Sequence, residues 1–243
     1  RFFRVLEACG ALAVVFPELA ALRGKTHAPL HHPEGDAFEH ALLALRQAAD
    51  STEDVMVRFA ALTHDLGKGA TPDEALPHHY GHEERGAEIV AGMCDRLRVP
   101  KRFARLAVQV AAGHMRCHRV VEMRPSKVMT LLETLDAMRQ PVFFDRFLLA
   151  CGADRKQRDM ASGYPAGVLL RACLQAVLAV DSRPLVEAGW SGRKLGEALR
   201  QERIRRIKRV LLESDAAEQK KGLGGSRQFQ GVVGWFAGAF FMG

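Results

Sequence analysis

The feature that most constrains this chain is the return of apolar residues every three or four positions, broken by prolines, with almost no alternating stretch. That period matches a helix turning every 3.6 residues and does not suit a pleated strand. Val5, Leu6, Cys9 and Leu12 form a first stripe that ends near Pro17. Asp36 and Glu39 have the spacing of a capping box, after which Phe38, Leu42, Leu45 and Ala49 mark an inward face. Ser51 to Asp54 reads as a second cap, opening a helix through Val55, Phe59 and Leu62 to Leu66, which Gly67 and Gly69 stop. Further helices are expected over 83–97, 101–113, 126–138, 142–158 and 167–180, with a strongly basic one over 192–214. Pro100, Pro125, Pro141, Pro165 and Pro184 fall near first turns, where a missing amide hydrogen costs little. The expected fold is all-α.

Composition removes several classes. With 48% hydrophobic and 26% charged residues over 243 positions, the chain is neither disordered nor fibrous. Its 35 Lys and Arg outnumber 28 Asp and Glu, a formal charge of +7 that suggests an anionic partner. Five cysteines form no C-x-x-C pair and read as reduced thiols of a cytoplasmic protein. Residues 1–22 are interrupted by Arg4, Glu7, Pro17 and Glu18, so no signal peptide is expected. No run approaches the roughly 18 to 20 apolar residues of a membrane span, so no membrane partner is expected. The chain opens on Arg1 and reads as a piece of something longer. Residues 222–243, rich in glycine and aromatics, lack a clean helical face and are expected to form an irregular or loosely docked tail.

Histidine is the chemical signal. All ten lie between His27 and His118, none in the remaining half of the chain. A histidine-rich region with interspersed carboxylates suits a Mn, Fe, Co, Ni or Zn site. His64-Asp65 closes an apolar helix, where one nitrogen and one oxygen can reach the same cation. Lys68, one turn on, can place positive charge near a phosphate oxygen. His40, 24 residues upstream among apolar positions, is either a hydrogen-bonded core residue or a ligand from an antiparallel neighbour. Asp154, ending the apolar run that begins at Phe143, is the downstream candidate; its bland alternative is an ion pair with Arg155 or Arg158.

The order His40, His64-Asp65, Asp154 resembles the H…HD…D pattern of HD-domain metal-dependent phosphohydrolases. His32-Pro33-Glu34-Gly35-Asp36 with Glu39-His40, then Phe59 to Gly69, Gly81-His82-Glu83-Glu84-Arg85-Gly86-Ala87, and Asp95 to Pro100 narrow the likeness. Together they resemble the C-terminal HD region of the bacterial multifunctional CCA-adding tRNA nucleotidyltransferases, over roughly residues 1–209. The resemblance implies a helical lead-in at 1–30, an HD phosphohydrolase domain at 31–160, a basic tRNA-contacting region at 161–221, and the tail at 222–243.

It further implies His40, His64, Asp65 and Asp154 as ligands of a divalent ion (Ni, Mn, Co or Mg). Asp65, Lys68, His82 and His114 would take part in catalysis, His82 and His114 holding either a second metal or the substrate phosphate. His118 ranks below them, while His78 and His79 are read as loop decoration. Arg193, Lys194, Arg200, Arg203, Arg206 and Lys208 would contact RNA phosphates, or else form a solvated face. Implied substrates are 2′,3′-cyclic nucleotides, 2′-nucleotides and phosphomonoesters. Implied partners are tRNA, the nucleotide-adding N-terminal domain of the same protein, and a second copy of the chain. No Asp-x-Asp is present, so CCA addition is not expected of this chain alone. Two alternatives stay open: a non-catalytic tRNA-binding body, and an HD nucleotidase unrelated to tRNA.

Overall fold

A computed structural model describes residues 1–26, 35–155 and 164–223, with side chains to 216. Among them the regular structure is helical, with one isolated antiparallel bridge between Thr26 and Asp36. The histidines His27, His31 and His32, and the expected irregular tail beyond 223, lie outside the described residues. The chain divides into two compact units, 1–158 and 159–243.

In the first unit the order is α1 (Phe2–Ala8), α2 (Leu12–Val15), α3 (Pro17–Ala20), α4 (Ala37–Ser51) and α5 (Val55–Thr63). A 3₁₀ turn over Leu66–Ala70 leads on to α6 (His82–Arg96), α7 (Lys101–His118), α8 (Pro125–Thr134) and α9 (Pro141–Asp154). Helix α5 is central, touching α4, α7 and α9, while α6 packs on α7 and on the 3₁₀ turn. Burial follows this arrangement. Val57, Ala60 and Ala61 of α5, Leu106, Ala107 and Val110 of α7, and Phe144, Phe147 and Leu148 of α9 supply the core. Non-directional burial of this surface holds the helices together.

Local signals explain most boundaries. Asp36 caps α4 by accepting from the amides of Phe38 and Glu39, as expected. Glu39 does not complete the box: its carboxylate pairs instead with Arg4 and Arg23 and ties the lead-in to α4. Ser51 ends α4 rather than capping α5; the cap is Asp54, which accepts from Met56 and also meets Arg146 of α9 at 2.6 Å. Pro125 and Pro141 stand in first turns, and Pro100 stands one place before α7. Several expected ends move: α5 stops at Thr63, short of Leu66, with Gly67 and Gly69 inside the 3₁₀ turn that follows, and α8 stops at Thr134, short of 138. Helix α7 runs on to His118 and α9 stops at Asp154.

The faces were harder to place. Helix α4 buries Ala37, Phe38, His40, Ala41, Ala44 and Ala48, whereas Leu42 and Leu45 are half-buried and Ala49 is exposed. Small alanines let α4 approach α5 and α9 closely, and the leucines line a recess shared with Phe3. The first stripe also breaks. Gly10, at φ 74°, separates α1 from α2, and of the four expected residues Leu12 alone is buried.

In the second unit α10 (Pro165–Leu178) and α11 (Arg183–Glu187) both contact α12 (Gly192–Leu223), a helix longer than expected. Pro165 and Pro184 again occupy first turns. Residues 165–187 form one window long and apolar enough by composition to cross a membrane, contrary to the sequence reading. That window is interrupted at 179–182, and its Leu170, Cys173, Leu174 and Val177 are buried in the unit.

Candidate metal centre

Five imidazoles and two carboxylates meet where α4, α5, α6, α7 and α9 converge. His40 comes from the inward face of α4, and His64-Asp65 leaves the end of α5. His82 opens α6, His114 and His118 lie one turn apart near the end of α7, and Asp154 terminates α9. His40, His64, Asp65 and His114 are each no more than 2% exposed, and Lys68 is 8% exposed. Burying so many polar groups is costly unless they face one another or a cation.

They do face one another. His40 Nε2 lies 2.7 Å from Asp154 Oδ1 and 3.3 Å from His64 Nε2. His64 Nε2 is 3.2 Å from Asp65 Oδ2 and 3.3 Å from Asp154 Oδ1. The other oxygen of Asp65 faces elsewhere: Oδ1 is 3.5 Å from both His82 Nε2 and His114 Nε2, which are 3.4 Å apart. His118 Nε2 meets Asp154 Oδ2 at 2.6 Å. Lys68 Nζ is 2.5 Å from Asp65 Oδ2. Both Asp65 oxygens are buried, so this ammonium is a close charge partner of the carboxylate.

Main-chain carbonyls aim the rings. His64 Nδ1 donates to Ala61 O at 2.8 Å and His82 Nδ1 to His79 O at 2.8 Å, while His114 Nδ1 reaches Val110 O and Ala111 O at 3.1 Å. Because a carbonyl only accepts, each Nδ1 carries a proton, and the ring is turned so that Nε2 points inward. This is the outer support that orients metal-binding histidine.

Charge is unevenly divided. Burial pulls the His64 imidazole down, but Asp65 and Asp154 outweigh it and raise it to about 10. Burial pushes both carboxyls up, yet Asp65 beside His64 and Lys68, and Asp154 beside His64, His118 and His40, are held well below the ordinary value. Burial, assisted by Lys68, lowers His82 to about 4. His118 is lowered by burial against the pull of Asp154.

The donor set fits a divalent ion. His40, His64 and Asp65 form one group whose ligand atoms lie within 4.8 Å of each other; His64, His114 and Asp154, and Asp65, His82 and His114, form two more. The Asp65 carboxylate fits the same conclusion, as its two buried oxygens face different imidazole pairs.

The four expected ligands, together with Lys68, His82 and His114, are thus brought into one cluster. Asp154 faces His40, His64 and His118. Two residues were underrated from sequence. His118 joins the cluster, and its signal was the one-turn spacing from His114. His79 bonds both Thr71 and Thr26, so it is no loop ornament. The basic positions belong to α12 of the second unit. Arg193, Lys194, Arg206 and Lys208 are exposed, whereas Arg200 and Arg203 are half-buried. Arg193 pairs with Glu197, and Arg206 with Glu202.

Residues 37–139 match the HD domain family, a span that takes in α4 to α8 and stops short of Asp154. A multifunctional CCA protein of Nitrosococcus oceani is 49% identical over 213 residues, 87% of this chain and 52% of that relative. One from Thioalkalivibrio sulfidiphilus is 47% identical over 214 residues, and one from Legionella pneumophila 38% over 211, with the same coverage of 87% and 52%. The chain therefore spans about half the length of the curated relatives it matches.

Proposed function

We propose, for a chain that belongs to the HD-domain relatives of the multifunctional CCA proteins, that it hydrolyses phosphate esters with a divalent ion held by His40, His64, Asp65 and Asp154. The observation that carries this reading is the Asp65 carboxylate: buried, held well below the ordinary carboxyl value by His64 and Lys68, and facing two pairs of imidazole nitrogens. The chemistry an ion contributes at such a place is polarisation of a phosphoryl oxygen and acidification of water. Imidazole-rich donors favour Mn, Co or Ni over Mg, which prefers oxygen ligands.

The chain's own groups then divide the work. Lys68 Nζ stands 2.5 Å from Asp65, where it can offset negative charge on a phosphoryl group. His82 and His114 present Nε2 atoms on the far side of Asp65, suited to a second ion or to the phosphate itself. By resemblance, 2′,3′-cyclic nucleotides, 2′-nucleotides and simple monoesters are the substrates, in a cytoplasmic protein that handles tRNA 3′ ends through its longer form. The test is release of product from 2′,3′-cyclic AMP by chelator-treated protein reloaded with Mn, Co, Ni or Mg. Turnover that depends on metal and disappears in Asp65→Asn supports the reading. Metal-loaded protein inert toward the cyclic, 2′-nucleotide and monoester substrates overturns it.

A second reading is supported by α12, which exposes Lys194 and Lys208 along a helix with few buried residues. In that reading the second unit grips tRNA phosphates. The two readings are compatible, and affinity that falls steeply with salt identifies the second.

A further inference from the structure

The loop before α6 contains a chain of hydrogen bonds that the proposed chemistry leaves unexplained. It starts at the 3₁₀ turn after Asp65, where the Thr71 amide donates to Lys68 O at 3.0 Å. Thr71 is 2% exposed, and its hydroxyl lies 2.9 Å from His79 Nδ1. On its other side His79 Nε2 lies 3.1 Å from Thr26 O. A carbonyl only accepts, so Nε2 carries a proton, and Thr71 Oγ1 can either donate to Nδ1 or accept from it. The clamp therefore holds whether the ring is neutral or charged. Lys25 adds to the anchor, its ammonium meeting Thr71 O at 2.7 Å and Asp73 at 2.6 Å.

The output of this chain is a carbonyl. His79 O accepts from the His82 amide at 3.2 Å and from His82 Nδ1 at 2.8 Å. That second bond puts the His82 proton on Nδ1 and turns Nε2 toward Asp65 and His114. We propose that His79 is a positioning residue: its side chain, pinned between Thr71 and Thr26, fixes the carbonyl that sets the tautomer and aim of His82. The idea rests on the metal-centre reading for its purpose, though its geometry concerns apoprotein. Outer partners of this kind typically change metal affinity by about 10- to 100-fold.

The test begins with long-range proton–nitrogen spectra of histidine-labelled apoprotein, which identify the protonated nitrogen of each ring. In the parent chain His82 should be Nδ1-protonated. In His79→Ala it should become a mixture, with His64 and His114 unchanged. His79→Gln, which keeps a donor and an acceptor, should restore a single form. Thr71→Val, close in volume but without the hydroxyl, should reproduce the loss and decides the matter if His79→Ala fails to fold. Mn titration of the same proteins should show affinity falling about 10- to 100-fold in His79→Ala and recovering in His79→Gln. A single, unchanged His82 tautomer in a folded His79→Ala overturns the proposal, as does a His79→Gln chain that behaves like His79→Ala. A parent chain that binds no metal overturns the functional reading instead, leaving the tautomer result to judge the positioning role.

Discussion

Asp65 and Asp154 are both carboxylates among histidines, but they do different things. Asp154 spends one oxygen on His40 and the other on His118, whereas Asp65 turns one oxygen to His64 and Lys68 and the other to His82 and His114. Asp65→Asn keeps the shape and removes the charge, so bound Mn after gel filtration is expected to fall by at least about 100-fold in affinity, beyond the effect of outer partners. Metal analysis of both proteins checks this. The sequence announced Asp65 through the adjacent His64, and Asp154 through its isolation at the end of an apolar run. His118 and His79 were less legible because their partners, Asp154 and Thr26, are 36 and 53 residues away. Long-range hydrogen bonds leave no periodic trace in a single sequence.

At the scale of elements, the caps and helix contacts carry the energetics. Burial pushes the Asp54 carboxyl up, but Arg146 and the Met56 amide outweigh it and hold it below the ordinary value. Its stabilising effect is therefore full above the unfolded value, near pH 4, and is lost as pH falls through the lower folded value. Both side chains are partly exposed, so the charge contribution is about 0.2–1 kcal/mol. Asp54→Asn should keep the cap yet flatten the acid side of the stability curve, measured as the urea midpoint between pH 7 and pH 3. The 3₁₀ turn gives a sharper case. A Cβ on Gly67 would stand 2.0 Å from His82 O and 2.6 Å from Gly86 N, both main-chain atoms unable to step aside. Gly67→Ala should cost about 1–3 kcal/mol, read from thermal or urea unfolding. Sequence marked Gly67 as the stop of a helix reaching Leu66, but that helix ends at Thr63 and Gly67 lies inside the 3₁₀ turn that follows. The need for close approach to α6 shows only in three dimensions. The face of α4 was misread for a related reason: leucine outranks alanine in hydropathy, but close helix approach favours the smaller residue.

The whole molecule separates its chemistry from its charge. Every residue of the histidine and aspartate cluster falls within 1–158, while the basic helix belongs to the unit over 159–243. Replacing Lys194 and Lys208 with Ser should leave Mn stoichiometry unchanged and lower the salt slope of tRNA binding by about one to two, since each phosphate contact contributes about 0.9 on duplex and 0.7 on single strands. Filter binding across a salt series measures it. The all-α class and the order of the helices were evident from spacing and proline, whereas the split between units follows from contacts that one sequence does not display. The carbonyl anchors of the rings have a consequence for folding order. His64, His82 and His114 each take their aim from a carbonyl three or four residues away, so their orientation forms with the local backbone. Asp154, by contrast, is 114 residues from His40. That is the longest closure of the site, and its contact is the most non-local. The imidazoles are expected to be aimed early, and the centre is completed when the end of α9 arrives.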